Sequence, residues 1–180
     1  MPISPVKRIA GPGGRVQVLV LLMAVLACGQ QAPKKGDNPI SWSIEREKAA
    51  GETTPIVTGG EFNARISAKI KDGWHLYSTE EPASGPRPTV ISVPKGQPFE
   101  MSGDIDSPIP ISAMDPNFGV KTEYYERSAT FVIPIRVTGP APSGPQKLLI
   151  EVRYQSCSDQ LCLPPKTEKL ELTVELKSGK

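Results

Sequence analysis

The stretch "YQSCSDQLCLPP", Tyr154 to Pro165, holds two cysteines separated by four residues, between an apolar run and a Pro-Pro stop. Cys157 and Cys162 admit three chemistries: a structural staple, half of a metal site, or a working redox couple. A bridge between them closes a loop of about six residues. In the chain-entropy model that contributes roughly 2 kcal/mol, against about 4.7 kcal/mol for a 100-residue loop. Zinc would need two further ligands, and His75 is the single histidine. Copper could use Met101 or Met114, but no spacing brings either to the cysteines. Thiol–disulfide exchange needs only the two sulfurs and no cofactor: a thiolate attacks one sulfur of a disulfide through a mixed-disulfide intermediate.

The elements that must position the pair are strands. If "LLIEVRYQSC" rises as one strand and "CLPP" returns, "SDQL" is the tip and the cysteines face each other. Cross-strand Cβ atoms lie about 4.5–5.5 Å apart, closer at non-hydrogen-bonded positions, while a disulfide wants about 3.5–4.5 Å. The bond is within reach. Pro164 and Pro165 cannot extend a ladder, so they end the pairing beside the sulfurs. Asp159, between the cysteines, disfavours a nearby thiolate by like-charge repulsion. Staple, metal site and exchange all stay open at this point, with an accessible, reversible disulfide the favoured reading.

Around the hairpin the hydrophobic pattern has period two. Ile40, Trp42 and Ile44 alternate with polar residues, and so do Phe62, Ala64, Ile66, Ala68 and Ile70. Further runs are Thr89–Val93, Ala129–Val137, Lys147–Tyr154 and Lys169–Lys177. Such alternation marks half-buried antiparallel strands. In "DGWHLYS", Trp74 and Leu76 share one face and His75 and Tyr77 the other, and one of these faces is core. A core or edge role is the expectation for His75. Residues Glu100–Tyr125 have no clear period and read as a long functional loop or short edge strands. Seven or so strands, with turn-rich connections and no convincing amphipathic helix, predict an all-β, immunoglobulin-like antiparallel β-sandwich of two sheets.

Charge excludes one class of partner. Lys+Arg is 21 and Asp+Glu 19, a net charge of +2, which is no footprint for nucleic acid. The amino terminus reads as a targeting signal. Lys7, Arg8 and Arg15 precede the apolar run Val16–Ala27, which is short for a membrane span and of signal-peptide length. The run ends in Val25-Leu26-Ala27-Cys28, which resembles a bacterial lipobox, with an ordinary secretory signal as the alternative. The expected organisation is a lipoprotein signal over 1–28 with Cys28 lipidated, a tether over 29–39, and a domain over 40–178. No later segment is long and apolar enough to span a bilayer. The expected location is the periplasmic side of the inner or outer membrane, where disulfides persist and Cys157 and Cys162 are the remaining pair.

The hairpin "YQSCSDQLCLPPKTEKLEL" resembles the active-site hairpin of the N-terminal periplasmic domain of DsbD, the thiol:disulfide interchange protein. There, too, Tyr-Gln-x-Cys opens and Cys-x-Pro-Pro closes the redox segment. "DGWHLYS" is similar to a strand of that family, and "DPNFGVKTEYYERSATFVIPI" to the region holding its cap loop. The resemblance implies an immunoglobulin-like electron relay that passes electrons to periplasmic thioredoxin-like proteins. It implies that Cys162 forms the mixed disulfide with the partner and Cys157 resolves it. Phe118, with Asp115 nearby, would lie in a cap loop shielding the sulfurs. Tyr154, Gln155 and Tyr77 are candidates for a partner-docking face, packing on the sandwich being the alternative for Tyr154 and Gln155. The family pair is recharged by a membrane-embedded domain. Here a separate DsbD-type membrane donor is expected to take that place, with the Cys28 lipid holding the domain at the membrane. The competing reading is a lipid-anchored immunoglobulin-like binding module with a purely structural disulfide.

Overall fold

The computed structural model describes residues 38–47, 55–80, 82–139 and 141–177. Cys28, the lipobox and all but the last two residues of the expected tether lie outside them. Twelve strands follow in chain order: β1 Ile40–Arg46, β2 Ile56–Val57, β3 Glu61–Ile70, β4 His75–Tyr77, β5 Val90–Ser92 and β6 Phe99–Met101. Then come β7 Ile111–Met114, β8 Lys121–Tyr125, β9 Ser128–Val137, β10 Gly144–Tyr154, β11 Ser156–Cys157 and β12 Lys166–Lys177.

The long alternating runs build an immunoglobulin-like sandwich. One sheet has the order β1-β3-β9-β6 and a second β2-β12-β10-β5. All pairs are antiparallel except the short β2–β12 contact. Every second residue of β9 (Ala129, Phe131, Ile133, Ile135 and Val137) is buried, as are Leu148, Ile150 and Val152 of β10. Apolar area removed from water by these two inner faces is the main driving force for the fold. Phe131 sits at its centre, with Trp42 and Tyr125 rings at 6.3 and 5.7 Å.

A third sheet, β11-β4-β8-β7, goes beyond the expected two. The aperiodic section Glu100–Tyr125 folds as short strands β6, β7 and β8, which are too brief to show a period. The strand expected to run through to the cysteines instead ends at Tyr154, and after Gln155 the chain resumes as β11, pairing with β4. Alternation continues across this step, so the third sheet has two distinct faces. On the inner face Ser156 pairs with Leu76 and Leu76 with Tyr125, the last two joining the core. On the outer face Cys157 pairs with His75, and Tyr77 with Tyr124.

Phe131→Ala removes a fully buried ring that meets Trp42 and Tyr125. We expect it to cost about 3–5 kcal/mol, read as a lower midpoint in urea denaturation with the disulfide intact.

Candidate functional site

Cys157 and Cys162 are joined by a disulfide, with S–S 2.04 Å and Cα–Cα 4.0 Å. They oppose each other in an antiparallel bridge. The flanking hydrogen bonds run from Ser158 N to the Leu161 carbonyl (2.8 Å) and from Leu163 N to the Ser156 carbonyl (3.0 Å). The cysteines therefore occupy a non-hydrogen-bonded pair, where opposite Cα atoms approach most closely. Residues 158–161 form the tip, as the sequence predicts. Ser158 Oγ accepts from Gln160 N (3.3 Å) and Leu161 N (3.2 Å), a side-chain turn that holds the tip in shape. Cys157 is 0% exposed, whereas Cys162 is only half-buried.

The outer face of the third sheet is covered by the β7–β8 loop. Asp115 N donates to the Val120 carbonyl (2.9 Å) and Gly119 N to the Asp115 carbonyl (2.8 Å), with Gly119 at φ 66° turning the chain back. The Asp115 carboxylate is buried and fully used. Its Oδ2 accepts from Tyr77 Oη at 2.6 Å. Its Oδ1 accepts from Asn117 N at 2.8 Å and Phe118 N at 3.3 Å. Phe118 packs edge-on against Tyr77, centroids 6.2 Å apart. At the other end, Asn117 Nδ2 donates to the Ser158 carbonyl in the cysteine turn, at 2.9 Å. The loop is thus pinned to β4 by Asp115 and Phe118 and to the hairpin by Asn117.

Other residues expected at the site are placed differently. Tyr154 is 1% exposed, inside the sandwich, its ring 5.3 Å from Trp42 and its hydroxyl accepting from Asn38 Nδ2 at 2.9 Å. Burial pushes its phenol above the ordinary tyrosine value. Tyr77 is 0% exposed beneath the loop. Neither presents surface to a docking partner in this arrangement, because the alternation that carries Cys157 outward carries Tyr154 inward. Gln155 clamps the base of the hairpin: its Oε1 accepts from Arg87 N (2.8 Å) and its Nε2 donates to the Leu163 carbonyl (3.2 Å). The site is acidic. Burial first, then Glu126, Asp159 and Asp115, raise the Tyr124 phenol above its ordinary value, so it stays protonated through neutral pH. Among the described residues no group of three or more His, Cys, Asp and Glu side chains gathers to hold a metal.

The family model described as "Thiol:disulfide interchange protein DsbD, N-terminal" matches residues 44–174. The chain belongs to this family. Among solved structures, the DsbD N-terminal domain of Neisseria meningitidis in its reduced form is similar at 18% identity, covering 63% of this chain and 78% of that one, with TM-score 0.45. The N-terminal periplasmic domain of ScsB from Proteus mirabilis is similar at 15% identity over 78% of this chain, with TM-score 0.50, and the match spans 47% of that chain. The latter likeness shows a shared fold. No curated protein matches the sequence.

Fold and family are therefore those of a thiol–disulfide exchange module of the DsbD N-terminal type. Within it, three contributors escaped the sequence reading. Asn117 was legible in principle, since "DPNFG" has the composition of an Asx turn. Tyr124 and Glu126 were not, because only the β4–β8 pairing brings them to His75. Asp115→Ala removes the acceptor of the Tyr77 hydroxyl and both loop amides. The expected result is a loss of about 1–3 kcal/mol and faster reduction of the disulfide by dithiothreitol, followed by thiol release.

Proposed function

We propose that this chain is an exported thiol–disulfide exchange module whose Cys157–Cys162 pair passes electrons to thioredoxin-like proteins. The observation that carries the reading is the asymmetry of the pair: Cys162 is half-exposed at a hairpin tip, while Cys157 is 0% exposed under a pinned loop. An exchange partner can reach one sulfur only. Cys162 accordingly forms the mixed disulfide, and Cys157 resolves it by attacking the Cys162 sulfur. Asp115 and Phe118 hold the cap, which must lift or shift for a partner to dock. Tyr77 acts through Asp115 as an anchor of that cap, and Gln155 fixes the base of the hairpin. The family membership and the short loop closed by the bridge support the same assignment, since so short a loop adds little stability.

The amino-terminal signal, the lipobox at Cys28 and the polar segment 29–39 support a lipid-anchored periplasmic domain over 40–178. Electrons would then come from a separate membrane partner of the DsbD type, on the periplasmic side of whichever membrane holds the lipid.

One observation favours a second reading, a binding module with a purely structural disulfide: complete burial of Cys157 is what an inert bridge would show. Equilibration with glutathione and dithiothreitol buffers separates the two. The relay reading expects the pair to be reduced within the range of thioredoxin-like proteins, about −120 to −270 mV. A pair still oxidised well below about −300 mV is a structural disulfide and removes the relay. In the structural case the Cys157→Ser, Cys162→Ser double variant keeps its partner binding and loses only about 2 kcal/mol of stability.

A further inference from the structure

Exchange through this pair poses a proton problem. Resolution requires the Cys157 thiolate, and Cys157 is buried on a face whose Tyr124 feels three carboxylates: Glu126 beyond β8, Asp159 in the cysteine turn and Asp115 in the loop. Burial and like charge both oppose the thiolate. The third sheet places one basic side chain in line with the sulfurs. Cys162 opposes Cys157 on one side, and His75 opposes Cys157 on the other. Directly paired residues project from the same face with Cβ atoms about 4.5–5.5 Å apart. The two sulfurs and the imidazole thus form one row across the outer face.

The ring is held from the far side. His75 Nε2 lies 3.3 Å from Glu126 Oε1, and the imidazole stacks on Tyr124 with centroids 4.1 Å apart. Glu126 is fixed in turn by the tight connection to β9: Ser128 N donates to its carbonyl at 2.6 Å, and the next residue, Arg127, adopts φ 62°. A carboxylate beside Nε2 favours the proton on that nitrogen. That leaves Nδ1 as the free acceptor. Of the other groups on this face, Tyr124 and Tyr77 are phenols, the Asp115 carboxylate is already engaged by the Tyr77 hydroxyl and two loop amides, and Asp159 stands in the cysteine turn.

We infer that His75, oriented by Glu126, accepts the proton of the Cys157 thiol during resolution of the mixed disulfide. The inference rests on the exchange reading above. In the step, the Cys157 S–H bond breaks and its proton passes to imidazole. The thiolate electron pair forms the Cys157–Cys162 bond, and the bond from Cys162 to the partner sulfur breaks. The partner leaves as a thiolate, having gained two electrons over the whole exchange, and the imidazolium beside Glu126 returns the proton to it or to water. His75 is then a proton acceptor and Glu126 a positioning residue.

The test uses the chain with Cys28→Ser, its pair reduced, mixed with 5,5′-dithiobis(2-nitrobenzoate) in a stopped-flow instrument. Attack by Cys162 releases one coloured thiolate, and resolution by Cys157 releases the second. The rate of the second phase is followed against pH. The expected profile rises with pH in a step that belongs to the proton acceptor. In His75→Gln that step disappears and the rate near pH 7 falls about 100-fold, the lower end of general-base contributions. Glu126→Gln, at a half-exposed position with no core packing to lose, lowers the rate less, and Glu126→Asp restores part of it. Rates within about twofold of the parent in His75→Gln and Glu126→Gln overturn the inference, as does a loss in His75→Gln that is equal at every pH. Because the oxidant is a small molecule, a pair that resolves through His75 but exchanges with no protein disulfide would keep this inference and remove the relay.

Discussion

A sulfur on the outward side of a sheet is buried only if something is laid over it. Cys157 leaves the sandwich on the face opposite Tyr154 and Ser156, yet it has no exposed surface. Prolines aside, Cys157 and Tyr77 are the two buried apolar side chains among the described residues that stand outside the continuous core. Both lie on the face spanned by the β7–β8 loop. That cover is held by polar contacts, Asp115 to Tyr77, Asp115 to two loop amides and Asn117 to the Ser158 carbonyl, together with the edge-on contact of Phe118 with Tyr77. Hydrogen bonds of this kind contribute about 0.5–1.5 kcal/mol net each, more where an ionised group takes part. A cover held so can be displaced at modest cost without disturbing the core beneath it.

The rest of the third sheet follows from the same requirement. β11 and β4 are only two and three residues long, enough to bring Cys157, His75 and Tyr77 onto one face and no more. Gln155 ties the step between sheets to Arg87 and Leu163, so the cysteine hairpin is braced where it departs from the sandwich. The large core beneath carries the stability, leaving the small outer sheet free for chemistry. A bridge across four intervening residues adds little to that stability, which is consistent with a bond that opens and closes.

The sandwich was legible because its strands are long. Ten residues of β3 and ten of β9 alternate without a break, and burial follows the alternation. The cysteine hairpin was legible too, since turn residues and prolines fix its register at short range. The third sheet was not. Strands of two to five residues carry no measurable period, and β8 buries Thr122 and Tyr125, which lie on opposite faces. Its pairing is a tertiary outcome, so the row from Cys162 to Glu126 and the inward place of Tyr154 emerge only from the fold. Asp115 and Phe118 came from family resemblance; their contacts with Tyr77 give that placement a physical basis.

The account turns on one sulfur meeting the partner and the other standing behind it. The most direct measurement is to mix reduced Cys157→Ser chain with an oxidised thioredoxin-like protein and map any covalent adduct by mass spectrometry. The account predicts a stable mixed disulfide through Cys162, and none from the matching Cys162→Ser chain, whose remaining thiol is buried. Equal trapping through Cys157, or no adduct from either variant, would contradict it.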